Sequence, residues 1–105
     1  MRVLLTSIAE VIRSKNSGPF ELTLDIIFKE RAVYEKVCSA GEFTPERIAA
    51  LYGISPRTVL AIIEFEPAKA IKINLKRPIP SGGLGDTDIY GAQQHAPLLG
   101  MELEL

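Results

Sequence analysis

The chain has a single cysteine, Cys38. An internal disulfide is excluded, and a reducing cytoplasm is the expected home. It has no surplus of charge either. Twelve lysines and arginines stand against 13 acids, for a net charge of −1. Nothing in that balance points to nucleic acid or an anionic membrane. Long hydrophobic runs are missing too, and none approaches the ~20 residues that span a bilayer. The short apolar run after Met1 is cut off by Glu10 and Arg13, with no signal-peptide cleavage pattern after it. Internal repeats and low-complexity segments are absent.

What is present suits one soluble globular domain over residues 1–105. Apolar residues make up 47% and charged residues 24%, ordinary values for a folded chain of 105 residues with a modest core.

Period separates the elements. Residues 3–12 fit two patterns: Leu4, Leu5, Ile8, Val11 and Ile12 recur at helical spacing, while their β-branched content suits a strand. Residues 13–19, with Asn16, Ser17, Gly18 and Pro19, read as a loop. A strand over 20–28 follows, with Phe20, Leu22, Leu24, Ile26 and Phe28 inward and Glu21, Thr23, Asp25 and Ile27 outward. The period then changes. Val33, Tyr34, Val37 and Cys38 form a helical stripe that Gly41 stops. Thr44 and Pro45 open a second helix as N-cap and N1, and Gly53 ends it. Ser55-Pro56 starts a short third turn. Strands follow from Val59, with Val59, Ala61, Ile63 and Phe65 sharing a face, and over 70–77. A last strand over 100–105 places Met101, Leu103 and Leu105 inward. These elements predict an α+β domain: a ferredoxin-like two-layer sandwich, its sheet mostly antiparallel, with two helices on one face.

Three stretches carry candidate chemistry. Glu46 to Val59 has the Ala, the turn Gly and the Ile-Ser-Pro-Arg-Thr-Val run of a helix-turn-helix, in which Ser55 and Arg57 would face DNA. The same residues serve any capped turn, and the apolar, acidic run after Val59 suits a recognition helix poorly. Arg13, Ser14, Lys15 and Asn16 offer two cations, a hydroxyl and an amide to an anion, or simply make a polar hairpin connection. The longest polar stretch is Pro80–Pro97, too long for an idle connection in a small domain. Its glycines are not followed by Lys-Ser/Thr, so it is not a P-loop. Asp86, Tyr90, Gln93 and Gln94 are candidate ligand-binding residues there. His95, the only histidine, is the candidate proton carrier with Asp88 as its partner, or equally a structural histidine. Asp-x-Asp with one distant histidine is too sparse to assign a metal, and no cofactor is identified. Cys38 sits on an apolar helical stripe and reads as core.

Three blocks carry a resemblance: Arg13 to Phe28, Pro67 to Ile73, and Gly85 to Leu99 with its Tyr-Gly-Ala-Gln-Gln-His run. They resemble a small family of unknown function, found as stand-alone chains and as neighbours or C-terminal partners of AtuA-like proteins, named for acyclic terpene utilisation. The chain is also distantly similar to the ferredoxin-like domain that ends AtuA proteins, though Lys15-Asn16 stands where an Asp-Lys pair is expected. The resemblance implies an accessory small subunit or domain acting with an AtuA-like partner on an acyl-CoA or small carboxylic acid, while the near-neutral charge and the strand edges suit a homo-oligomer. The residues leave a second expectation open: a ligand-binding domain or enzyme whose loops 13–19 and 80–97 form one anion site.

Overall fold

A computed structural model describes residues 2–18, 20–76 and 95–105. The chain opens with a short strand, β1 (Arg2–Leu4), and a single helical turn, α1 (Leu5–Ile8). It continues as β2 (Ala9–Gly18) and β3 (Glu21–Phe28), then α2 (Arg31–Ala40) and α3 (Pro45–Tyr52). A hairpin of β4 (Val59–Phe65) and β5 (Ala70–Lys76) follows, and β6 (Glu102–Glu104) ends the chain. The fold is α+β. β2, β3, β5 and β4 form one antiparallel sheet in that spatial order, and β1 pairs with β6 in a second. Along the chain the four-stranded sheet runs ββααββ, with α2 and α3 together in one crossover. The ferredoxin-like order, βαββαβ, spreads its helices over two crossovers.

Residues 3–12 divide between both readings of the sequence: strand, one helical turn, strand. The backbone explains the turn. Leu5 N–H reaches Met101 C=O at 2.9 Å, and Lys29 N–H reaches Ile8 C=O at 3.0 Å, so each end of the turn is tied to a different segment. Over 13–18 the expected loop is a strand instead, and Pro19 lies outside the described residues. Pairing runs to Gly18 opposite Glu21, through a register shift between Asn16 and Gly18. Turn-forming residues sit in a strand because β3 supplies their hydrogen bonds, and Phe20 is the exposed turn residue rather than an inward strand position.

The helix signals act as their chemistry dictates. Thr44 Oγ1 accepts the Arg47 N–H at 3.1 Å, Pro45 occupies the first turn, and Gly41 and Gly53 close their helices at φ 65°. After Gly53 comes a single 3-10 turn, Pro56–Thr58, capped by Ser55, and then β4. The second helix that a helix-turn-helix requires is therefore not formed. β4 also differs from a simple alternation. Val59 stands opposite Leu75 and Ala61 opposite Asn74, so Leu60 is one extra residue. The bulge turns Val59 toward the core, while Ala61, Ile63 and Phe65 face the other way.

One face of the large sheet supplies the core. Leu22, Leu24, Ile26 and Phe28 of β3 and Ile71, Ile73 and Leu75 of β5 bury against Tyr34 and Val37 of α2 and Ile48 and Ala49 of α3. Leu98, Met101 and Leu103 close the cluster from the C-terminal end. The opposite face contributes nothing to this cluster.

Candidate functional site

That opposite face holds the least expected feature. β3 is the second of four strands, and its outward residues Thr23 and Asp25 are 7% and 2% exposed. A carboxylate buried at a sheet centre needs cations and donors. The register supplies them, because Asp25 lies between Arg13 on β2 and Lys72 on β5. Arg13 Nε donates to Asp25 Oδ2 at 3.1 Å, and Lys72 Nζ stands 3.9 Å from Oδ1. Both cations stay partly in water, their side chains 56% and 38% exposed, while the carboxylate between them does not. Oδ1 is buried and has no hydrogen-bond partner among the described residues. Lys72 is shared, since its Nζ also sits 5.2 Å from the centre of the Phe65 ring.

One register step along, Thr23 lies between Lys15 and Asn74, and its Oγ1 meets Asn74 Oδ1 at 2.9 Å. Lys76 pairs with Glu21 beyond that. The face thus gathers Arg13, Lys15, Lys72 and Lys76 against Asp25 and Glu21, a positive surface on a chain of net charge −1. Chemically it can hold a carboxylate or phosphate through charge-assisted hydrogen bonds, with Asp25 keeping the Arg13 guanidinium in place.

Strand geometry splits the expected Arg13–Asn16 cluster. Arg13 and Lys15 share the positive face. Ser14, opposite Leu24 and buried, and Asn16, opposite Leu22, point to the helix side. Sequence reading missed Asp25, Lys72, Thr23 and Asn74. Their signal was a pair of alternating strands carrying opposite charges at matching positions, and it becomes legible only once β3 and β5 are known to be neighbours.

Asp86, Asp88, Tyr90, Gln93 and Gln94 lie outside the described residues, and with them most of Pro80–Pro97. His95 is half-buried just before a 3-10 turn (Ala96–Gly100), and its carbonyl accepts the Leu98 N–H at 2.9 Å. Its Nδ1 is buried without a hydrogen-bond partner among the described residues. Among those residues no three of His, Cys, Asp and Glu gather as metal ligands would, and no helix is long and apolar enough to cross a membrane.

Cys38 packs against the core at a recess of about 320 Å³, lined also by Tyr34, Glu64 and Glu66. Burial pushes its thiol above the ordinary range. Burial, and a hydrogen bond from its hydroxyl to Cys38, push Tyr34 up to about 12. A thiol held protonated in this way is a poor nucleophile.

Searches among curated proteins and among solved structures each returned no match. Residues 5–102 match the family described as a domain of unknown function (DUF4387), and the chain, covered almost end to end, belongs to that family.

Proposed function

We propose that the protein is an accessory small subunit that docks an acidic surface of a partner chain on the sheet face opposite its helices. The observation that carries this reading is Asp25, a carboxylate 2% exposed on the face that the core cluster leaves out. The hydrogen bond to this buried carboxylate holds the Arg13 guanidinium in place, and Lys72 stands beside it at 3.9 Å, so the face presents paired cations as a recognition surface requires. The family resemblance suggests the partner, an AtuA-like chain, and the setting, cytoplasmic breakdown of an acyl-CoA or small carboxylic acid. The ferredoxin-like likeness enters this proposal only as a layer arrangement, helices on one side of an antiparallel sheet.

Co-purification with an AtuA-like chain tests the proposal. The wild-type pair associates, and Arg13→Glu/Lys72→Glu weakens the complex at least about tenfold. No association, or association indifferent to the reversal, defeats it.

A second reading has its own support. Arg13 and Lys15 share one face, so the anion site expected from residues 13–19 keeps two of its cations and gains Lys72. In that reading a small carboxylate or phosphate binds this face directly, and residues 80–97 with His95 and Asp88 belong to the same site. Titration with acetyl-CoA and with inorganic phosphate, followed by the amide shifts of Arg13, Lys15 and Lys72, distinguishes the two readings.

A further inference from the structure

Exposed strand edges invite pairing with other chains, and folded proteins usually blunt them with charge, bulges or cover. Three strands here show how differently the edges are treated. β6 is covered: Glu42 accepts the Glu104 N–H, and Arg47 donates to the Glu102 carbonyl. β2 carries Arg13 and Lys15, and its register shifts near both ends. β4 has no lysine, arginine or proline between Val59 and Phe65, and Glu64 is its one charge. Its bulge sits at one end, between Val59 and Ala61. Leu60, Ile63 and Phe65 are 47%, 45% and 43% exposed. An open groove of about 680 Å³ runs beside it, walled by Phe43 and Pro45.

We propose that β4 pairs antiparallel with β4 of a second copy of this chain, across a two-fold axis at Ile62. A second copy fits better than an open chain of copies. The guarded β2 edge is a poor partner for β4, whereas self-pairing consumes both β4 edges, unpaired among the described residues, at once and closes the assembly. Charge selects the axis. At Ile63 the pairing would set Glu64 diagonally beside its own copy, and like charges at that spacing oppose pairing. At Ile62 Glu64 faces Leu60 of the second copy, and the two carboxylates lie four positions apart, about 14 Å along the strand. The same axis sets Ala61 opposite Ile63, small against large, on the outward face. The resulting eight-stranded sheet carries two Lys72 clusters three strand spacings apart, about 14 Å. This inference does not depend on the accessory-subunit reading.

Sedimentation equilibrium of the full chain at micromolar concentration reads the assembly. The wild type is a dimer. Ile63→Lys raises the dissociation constant at least about tenfold with an unchanged far-UV spectrum. Leu99→Lys, a lysine at another exposed apolar position, leaves it unchanged. Should Ile63→Lys fail to fold, Leu60→Lys makes the same test. Same-residue pairs on such an axis have Cα atoms about 4.5–5.5 Å apart, within disulfide reach. Ile62→Cys in a Cys38→Ser background therefore oxidises to a covalent dimer, and Phe65→Cys in that background does not. A wild-type monomer at every concentration overturns the proposal. So does an Ile63→Lys dimer of undiminished affinity, or cross-linking through residue 65 instead of 62.

Discussion

Asp25 sets the energetics at the scale of single residues, because its two cations can reach water and it cannot. Removing the carboxylate frees Arg13 and Lys72 to solvate. Removing both cations strands a buried charge, which costs about 3 kcal/mol or more. Urea unfolding of Arg13→Ala/Lys72→Met should show that loss, and adding Asp25→Leu should recover most of it. Equal destabilisation in the double and triple variants would mean that the ion pair does not matter to the fold. Backbone geometry gives a second test. A Cβ at Gly53 meets nothing within 4 Å, so the cost of Gly53→Ala is that of its φ of 65° alone, about 1 kcal/mol.

Elements are joined here by polar ties whose strength depends on pH. The Glu104 N–H, and then the Arg47 guanidinium, hold the Glu42 carboxyl below the usual carboxylate range. A carboxyl depressed in the folded state adds stability above its unfolded pKa, and loses it as pH falls through the folded value. The tie between β6 and the α2–α3 connection should therefore weaken in acid. Glu42→Gln should flatten the acid limb of a stability profile measured by urea unfolding. Tyr34 works in the opposite sense. It is raised to about 12, so its contribution is complete below pH 10 and lost as pH climbs toward 12. Tyr34→Phe should remove that part of the alkaline transition, and an unchanged alkaline midpoint would contradict the assignment.

For the whole molecule the governing feature is charge segregation. The outward sheet face gathers cations on a chain of net charge −1. Association through that face with an acidic partner should weaken steeply with added salt, because exposed charges are screened within a Debye length of about 10 Å at 0.1 M. The proposed pairing through β4 would be apolar and should respond little to salt. Measuring both associations between low and high ionic strength separates the two surfaces on one protein.

Some of this architecture is local chemistry and is legible residue by residue. Thr44-Pro45 caps a helix, Gly41 and Gly53 end helices, and alternation in β3 and β5 marks their inward residues, because each signal acts within a few positions of itself. Arg13–Gly18 reads as a loop by the same local rules and yet forms a strand, because β3 offers its backbone a ladder that turn propensity cannot match. The sequence by itself determined the helix pair, the inward residues of β3 and β5, and the α+β class. Tertiary structure alone decided which strands became neighbours. That choice made Asp25 a buried partner of Arg13 and Lys72 rather than a solvated strand residue, because burial and pairing arise between segments 12 and 47 positions apart, beyond the reach of any local pattern.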